Sequence, residues 1–306
     1  MLGPSGGPDL KQSLDLVALG TVADLVPLTG QNRILVAAGL KILRLAKRPG
    51  VRALLEVAGV PPAEVDAGTL GFQLGPRINA AGRLQDAMVG VQCLMAHEDE
   101  EAHRLAVILD RENRTRRDTE KRTVEQAVIM ATEPLHLQAR ALVLYDENWH
   151  PGVVGIAAQK MVEQFHKPSV LVGAGGKGSG RSIEAFHLHA ALGVCKEHLL
   201  GFGGHAHAAG VRVDPTKMDA FRLALYAHAD AMLTPDDLMP RTSHDGPLPG
   251  GALTDENLEA LARAAPFGRG NAEPCFLVDD LPIRSSKVVG ENPVSYTHLR
   301  AHETKA

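Results

Sequence analysis

The ten residues GFGGHAHAAG at 201–210 hold four glycines, three alanines and two histidines, with almost no bulk. A backbone stripped this thoroughly leaves room for a partner to approach, since glycine accepts positive φ and carries no Cβ. Successive N–H groups in such a turn form a concavity that attracts anions. His205 and His207 stand two apart, so in an extended segment both rings point the same way. Two imidazoles beside Gly203 and Gly204 suit a phosphate ester. The same residues also fit a tight turn entering a buried strand at 208–213, with the histidines capping it.

Other stretches add to the phosphate chemistry. KGSGRS at 177–182 offers Lys177, Ser179, Arg181 and Ser182 among glycines. It is not a Walker loop, because its Gly-Lys-Ser/Thr spacing is wrong. Trp149 and His150 precede a helix start, where an anion is favoured. Trp149, the one tryptophan, either stacks on a base or packs inside its own domain. In GPRINAAGR at 75–83, Arg77, Asn79 and Arg83 place two guanidiniums over a low-profile backbone. That suits phosphodiester contacts, or else a helix corner with salt-bridged arginines.

The apolar run LDLVALGTVADLVPL at 14–28 contains two carboxylates. A carboxylate in such surroundings must be paired, hydrogen-bonded or bound to metal. Asp24, beside the Val26-Pro27 break, reads as a metal ligand or as a helix-end carboxylate. Asp15 fits a partner for the positive end of a helix.

The elements that must position these residues follow from periodicity. The first part of 14–28 reads as buried helix. Helices are predicted over 32–46, 49–58 and 98–132, and the last is polar on all faces at 110–122, as in a helix that bridges domains. Its Arg111, Arg114, Arg116, Arg117, Lys121 and Arg122 either line a strand-binding groove or form a solvated face. Pro134 ends this helix and marks a boundary. From 139 the pattern alternates. Strands are predicted at 141–145 and 169–172, a Gly-rich turn at 173–180, a strand from Arg181 and another through Val213. Helices are predicted at 153–165, 188–200 and 217–232. This βαβ rhythm indicates a compact α/β domain. A Pro- and Asp-rich linker follows at 235–251, then a helix at 254–264, the turn PFGRGNAEP at 266–274 and strands over 275–289.

With 306 residues the chain can bury two or more cores. A net charge of −4 disfavours a general nucleic-acid coat and leaves room for a local basic groove. Cys93, Cys195 and Cys275 are too scattered for a metal knuckle and read as reduced thiols of a cytoplasmic protein. No apolar run suits a membrane span and no signal-peptide pattern is visible.

Six stretches, in this order, carry a family resemblance: DLVALGTVADLVPL, LGPRINAAGRL, WHPGVVGI, GSGRSI, GFGGHAHAAG and PFGRGNAEP. Together they resemble the RecJ family of bacterial single-stranded-DNA-specific exonucleases, within the DHH phosphoesterase superfamily. The resemblance implies an α/β fold of two lobes joined by a long helix, followed by the truncated start of an OB-fold-like β domain. The corresponding segments are 1–97 (end of the phosphoesterase domain), 98–134 (connecting helix), 135–234 (DHH-associated substrate domain), 235–252 (linker) and 253–291 (OB-like start).

It further implies a 5′-to-3′ exonuclease acting on single-stranded DNA in recombination and repair, with two Mn2+ or Mg2+ ions activating water and stabilising the leaving oxygen. Asp24, in Thr21-Val22-Ala23-Asp24, would be a metal ligand, and Asp24 and His205 would be catalytic. Ser179, Arg181, Ser182, Gly203, Gly204, His205 and His207 would hold phosphates, with Trp149 and His150 nearby. Arg77, Asn79 and Arg83 would sit in the channel between lobes. The partners implied are single-stranded DNA, a single-strand-binding protein and a recombination helicase, with no membrane.

The departures are also specific. The family's Asp-x-Asp strand end, a further Asp and the Asp-His-His are missing. The chain is therefore expected to be a fragment cut at its N-terminus and inactive alone. Residues 292–306, including PVSYTHLRAHET at 293–304, resemble a translated sequencing adapter and are expected to be disordered. Tyr296, His298 and His302 accordingly carry no functional role. Two other readings stand beside this one: a DHH-type phosphodiesterase for oligonucleotides or cyclic dinucleotides, and a non-catalytic module that binds single-stranded nucleic acid.

Overall fold

The computed structural model describes residues 9–84, 87–249 and 251–278, and beyond them only 287–288 and 295–296. It is a mixed α/β chain that divides into two compact units. One draws on Met1–Ile42, Val65–Gly71 and Thr242–Ala306, the other on Leu43–Glu64 and Phe72–Arg241. Among the described residues no helix is long and apolar enough to cross a membrane.

In the first unit, α1 (Leu14–Ala23) buries Asp15, Ala18 and Leu19, and Asp24 is its C-cap. The first part of the apolar run is therefore helix, as expected, and the run leaves the helix at Asp24. Asp15 lies in the first turn, where a carboxylate meets the positive end of the helix. A loop leads to α2 (Gly30–Leu43). In the second unit, α3 (Pro49–Ala58) starts on a proline, whose missing N–H costs nothing at the first helical position. A π-helical turn (Thr69–Leu74), whose first half belongs to the first unit, runs into α4 (Gly75–Leu84), followed by α5 (Met88–Met95).

The long helix α6 (Asp99–Ala131) opens with three acidic residues at its positive end. It packs against α3, α4 and α5, and also against the α/β layer. Its buried polar side chains, Asp110, Glu112, Asn113 and Thr123, sit in the charged middle. Part of that middle is therefore interior rather than solvated. A short α7 (Pro134–Gln138) leads to β1 (Leu142–Tyr145), then α8 (Pro151–Phe165) and β2 (Ser169–Val172).

β3 occupies Lys177–Arg181 and α9 occupies Leu188–Val194. β4 (Leu199–Gly204) and β5 (Ala208–Val213) form a hairpin, and α10 (Met218–Met232) closes the layer. Two expectations are corrected here. The strand expected from Arg181 begins at Lys177, because Gly178 and Gly180 pair with β2 in the ladder. The helix expected over 188–200 stops at Val194, and β4 takes up residues that read as helix end and turn. Phe202, opposite Val211, anchors β4 against the core despite the surrounding glycines.

The sheet order is β1-β2-β3-β5-β4; β1 and β2 are parallel and the other pairs antiparallel. Alternation sets its two faces. Val143, Val170, Val172, Ala209, Val211 and Val213 pack with α9 and α10 residues such as Leu192 and Phe221. Leu142, Leu144 and Leu171 face the other way, onto Ala127 and Ala131 of α6 and Val154 and Met161 of α8.

At the outer edge of β1, side chains of α10 occupy the main-chain groups of Val143. The Val143 N–H donates to Tyr226 Oη at 3.2 Å, and Arg222 Nε donates to the Val143 carbonyl at 3.1 Å. Further on, α11 (Asp255–Ala262) has Thr254 as N-cap, accepting from the Asn257 N–H at 3.2 Å. β6 (Lys287–Val288) pairs with β7 (Ser295–Tyr296). The other residues of 292–306 lie outside the described residues.

Candidate nucleic-acid interface

On one face of the sheet α8 packs against β2 and β3, while outward residues of β4 and β5 are exposed. The register defines what that face presents. Lys177 pairs with Arg212 and Arg212 with Gly201, while Ser179 pairs with Gly210 and Gly210 with Gly203. Arg181 pairs with Ala208. Directly paired residues share a face. Three cations and a hydroxyl therefore stand beside a floor of glycine. Gly201, Gly203, Gly210 and Arg212 are exposed. A Cβ on Gly201 or Gly203 would meet no atom within 4 Å, so the backbone there can be approached closely.

Arg181 is held low on this face. Its Nη1 donates to Ser179 Oγ at 3.0 Å and to the Gly180 carbonyl at 2.9 Å. Above it lies Gly155 of α8, where a Cβ would come within 3.0 Å of Ser179 Oγ and 3.4 Å of Arg181 Nη2. The glycine keeps the slot open.

The hairpin turn supplies the histidines. His205 and His207 are exposed, and the His205 N–H donates to the Ala208 carbonyl at 2.8 Å. Gly204 has φ +144°, and a Cβ there would lie 2.4 Å from the Ala208 carbonyl oxygen, so only glycine fits. The turn is tied to the end of β3, because the Ser182 N–H donates to the His207 carbonyl at 3.0 Å. Ser182 Oγ donates to the Phe186 carbonyl at 2.7 Å, so its hydroxyl is engaged within the fold.

His150 is the N-cap of α8, with Nδ1 accepting from the Gly152 N–H at 3.0 Å. Trp149 requires a correction. Its indole is only 2% exposed, packed with Leu142, Leu144 and Met161, and Nε1 donates to Gln126 Oε1 at 2.8 Å. It cannot stack on a base from there. The packing alternative is the one realised, because an indole buries a large apolar area once its N–H finds a partner.

Arg77 lies in α4, which also touches α8. Its Nε donates to Asp110 Oδ1 at 2.9 Å and its Nη1 to the Gln73 carbonyl at 2.9 Å. The salt-bridged corner is thus present. Asn79 is exposed on the same helix. Arg83 belongs to α4, but its side chain lies outside the described residues.

Asp24 belongs to the other unit, exposed at the end of α1, its N–H donating to the Gly20 carbonyl at 3.1 Å. Asp15 is buried, and its Oδ1 accepts from the Leu16 N–H at 2.7 Å. Among the described residues no group of three or more His, Cys, Asp or Glu side chains could hold a metal ion. A two-metal centre does not fit the described residues by themselves.

Arg212 was missed as a site residue. The alternation Ala209, Val211, Val213 inward and Gly210, Arg212 outward was readable in AAGVRV. What it lacked was the register that sets Arg212 opposite Lys177.

A DHHA1 domain model matches residues 138–228 and a RecJ OB domain model matches 244–303. The chain is 41% identical over 282 residues to the single-stranded-DNA-specific exonuclease RecJ of Salmonella typhimurium, covering 88% of this chain and 49% of that protein. It is 36% identical to the RecJ of Bacillus subtilis, covering 94% of this chain and 37% of that one. The crystal structure of Thermus thermophilus RecJ in complex with Mn2+ superposes with a TM-score of 0.83 at 34% identity, covering 94% of this chain and 42% of that chain. The Mg2+ complex gives a TM-score of 0.80 over 89% of this chain and 42% of that one. The chain spans about half, or less, of the length of these relatives.

Proposed function

We infer that the chain is a RecJ-like piece, the strand-gripping part of a single-stranded-DNA-specific exonuclease, a hydrolase of phosphodiester bonds. The observation that carries this reading is the open sheet face, where Lys177, Ser179, Arg181 and Arg212 stand beside exposed glycines. Guanidinium and ammonium groups neutralise phosphates, and a backbone without side chains lets the strand lie close to its N–H groups. His205 and His207, at the end of that face, would take the terminal phosphate, and His150 and Asn79 would contact neighbouring ones. Arg77 would reach a phosphate from its seat on Asp110, and Arg83 would contact another. The domain division 1–97, 98–134, 135–234, 235–252 and 253–291 goes with this reading.

The relatives solved with Mn2+ or Mg2+ support a divalent-metal enzyme in which such ions activate water. In that enzyme Asp24 would be a ligand. With the Asp-x-Asp and Asp-His-His motifs missing from this sequence, the chain as given would bind a single strand weakly and leave it intact. A cytoplasmic setting, 5′-to-3′ polarity, a single-strand-binding protein and a helicase belong to the same proposal.

Fluorescence anisotropy of a labelled oligonucleotide tests it. Single strands bind in preference to duplex, binding weakens with added salt as counterions are released, and Arg212→Ala weakens it further. Equal binding to duplex, or none to single strands, overturns the reading. Degradation of the strand on adding Mn2+ overturns the claim that this chain alone does not cleave.

A further inference from the structure

Leu25 and Arg269 stand 244 positions apart, yet they meet around the loop that carries Asp24. After α1 the chain passes through Asp24 and then Leu25, whose φ of +54° is in the left-handed region. A bulky residue held there costs about 1–3 kcal/mol and persists only where its surroundings fix it. The turn at 266–271 provides that fixing. Arg269 Nη1 donates to the Leu25 carbonyl at 3.4 Å, and the Leu28 N–H donates to the Arg269 carbonyl at 2.6 Å.

Two glycines permit the approach. A Cβ on Gly268 would lie 2.8 Å from Leu28 Cδ1, and Leu28 is buried. Gly270 has φ +76°, and a Cβ there would come within 3.3 Å of both Pro27 Cβ and Thr29 Cγ2. The turn is itself braced. Asn271 Nδ2 donates to the Ala264 and Pro266 carbonyls at 3.0 and 2.9 Å. Arg33 of α2 donates to the Ala264 carbonyl at 2.6 Å, beyond the end of α11, where carbonyls lack helical partners.

We propose that the turn at 266–271 is the positioning element of the Asp24 loop: Gly268, Arg269 and Gly270 set where the Asp24 carboxylate stands. None of the three touches substrate in this role. The functional weight of the device rests on the reading of Asp24 as a site residue. The device itself is a statement about the loop.

Amide hydrogen exchange on the full chain tests it. In the wild type the Leu28 amide exchanges slowly. In Gly268→Val and in the milder Gly270→Ala it exchanges at least about tenfold faster, as expected when a local bond opens. The amides of Val170 and Leu171 in the sheet stay unchanged and report on the rest of the fold. In Gly268→Ala the loss is partly recovered by Leu28→Val, which removes the clashing Cδ1; general destabilisation would not be rescued by trimming the partner. A Leu28 amide already fast in the wild type, or unmoved in both glycine variants, overturns the proposal. Anisotropy on the same samples separates the two claims. A wild type that fails to bind single strands sinks the nuclease reading while the exchange result stands.

Discussion

Arg77 and Asp110 meet at 2.9 Å between α4 and α6, and the second oxygen of Asp110 holds Arg114 at 2.8 Å. Arg77 and Asp110 are largely buried, whereas Arg114 is largely exposed. One carboxylate thus serves two cations in different dielectric surroundings. Removing one partner of a buried pair leaves the other charge uncompensated, at about 3–5 kcal/mol. An exposed ion pair contributes about 0–1 kcal/mol. Asp110→Ala is therefore predicted to lower the urea midpoint strongly, and Arg114→Ala barely. Equal effects would show that Asp110 is wetter than its packing indicates.

Gly155→Ala separates binding from stability. In the interior of α8 alanine is favoured over glycine by about 1 kcal/mol. The new Cβ, however, would come within 3.0 Å of Ser179 Oγ and 3.4 Å of Arg181 Nη2. The melting temperature is predicted to hold or rise, while affinity for single-stranded DNA falls about tenfold, or 1.4 kcal/mol. Unchanged affinity would remove Ser179 and Arg181 from the interface.

Stability depends on pH through His136. Burial, with help from Arg222, holds its imidazole below the usual 6.5 against an opposing pull from Glu133. Its Nδ1 lies 2.6 Å from Tyr226 Oη, the hydroxyl that also accepts from Val143. Burial disfavours the charged imidazolium, so the folded state favours a neutral ring. Between the depressed folded value and 6.5 the unfolded chain binds more protons, and stability rises with pH. The urea midpoint is predicted to climb with pH below 6.5, as the unfolded chain gives up its extra proton, and to level off above about pH 6.5. His136→Gln should flatten that climb; a midpoint that falls over this window contradicts the assignment.

The three thiols should react unequally. Burial pushes Cys93 and Cys195 up to about 11, while Cys275 is exposed. At about pH 8 the thiolate that attacks a labelling reagent is scarce on the buried pair. One equivalent of a disulfide reagent is predicted to react fast in the native protein, and the remainder only on unfolding. Fast labelling of two or three sites would mean that a core has opened.

Much of this was legible in the residues. The long helix, the proline-started α3, both strands of the βαβ unit and α10 follow from period, caps and breakers, which act within a few residues. β4 was not legible, since Gly201 and Gly203 carry no pattern, and only the ladder to β5 makes them strand. Trp149 offered two fates, and Gln126, 23 positions away, decided between them. The ion pair under Arg77 needed Asp110 from another helix. Local chemistry suggested which groups could hold phosphate. Which groups were already engaged depended on partners distant in sequence.

The side chains of Arg222 and Tyr226 that occupy the outward N–H and C=O of Val143 bear on how the sheet can grow. An incoming strand adds to a sheet by finding unpaired main-chain groups at its rim. At Val143 both groups are already taken, so a strand adding along β1 would first have to displace the Arg222 and Tyr226 side chains.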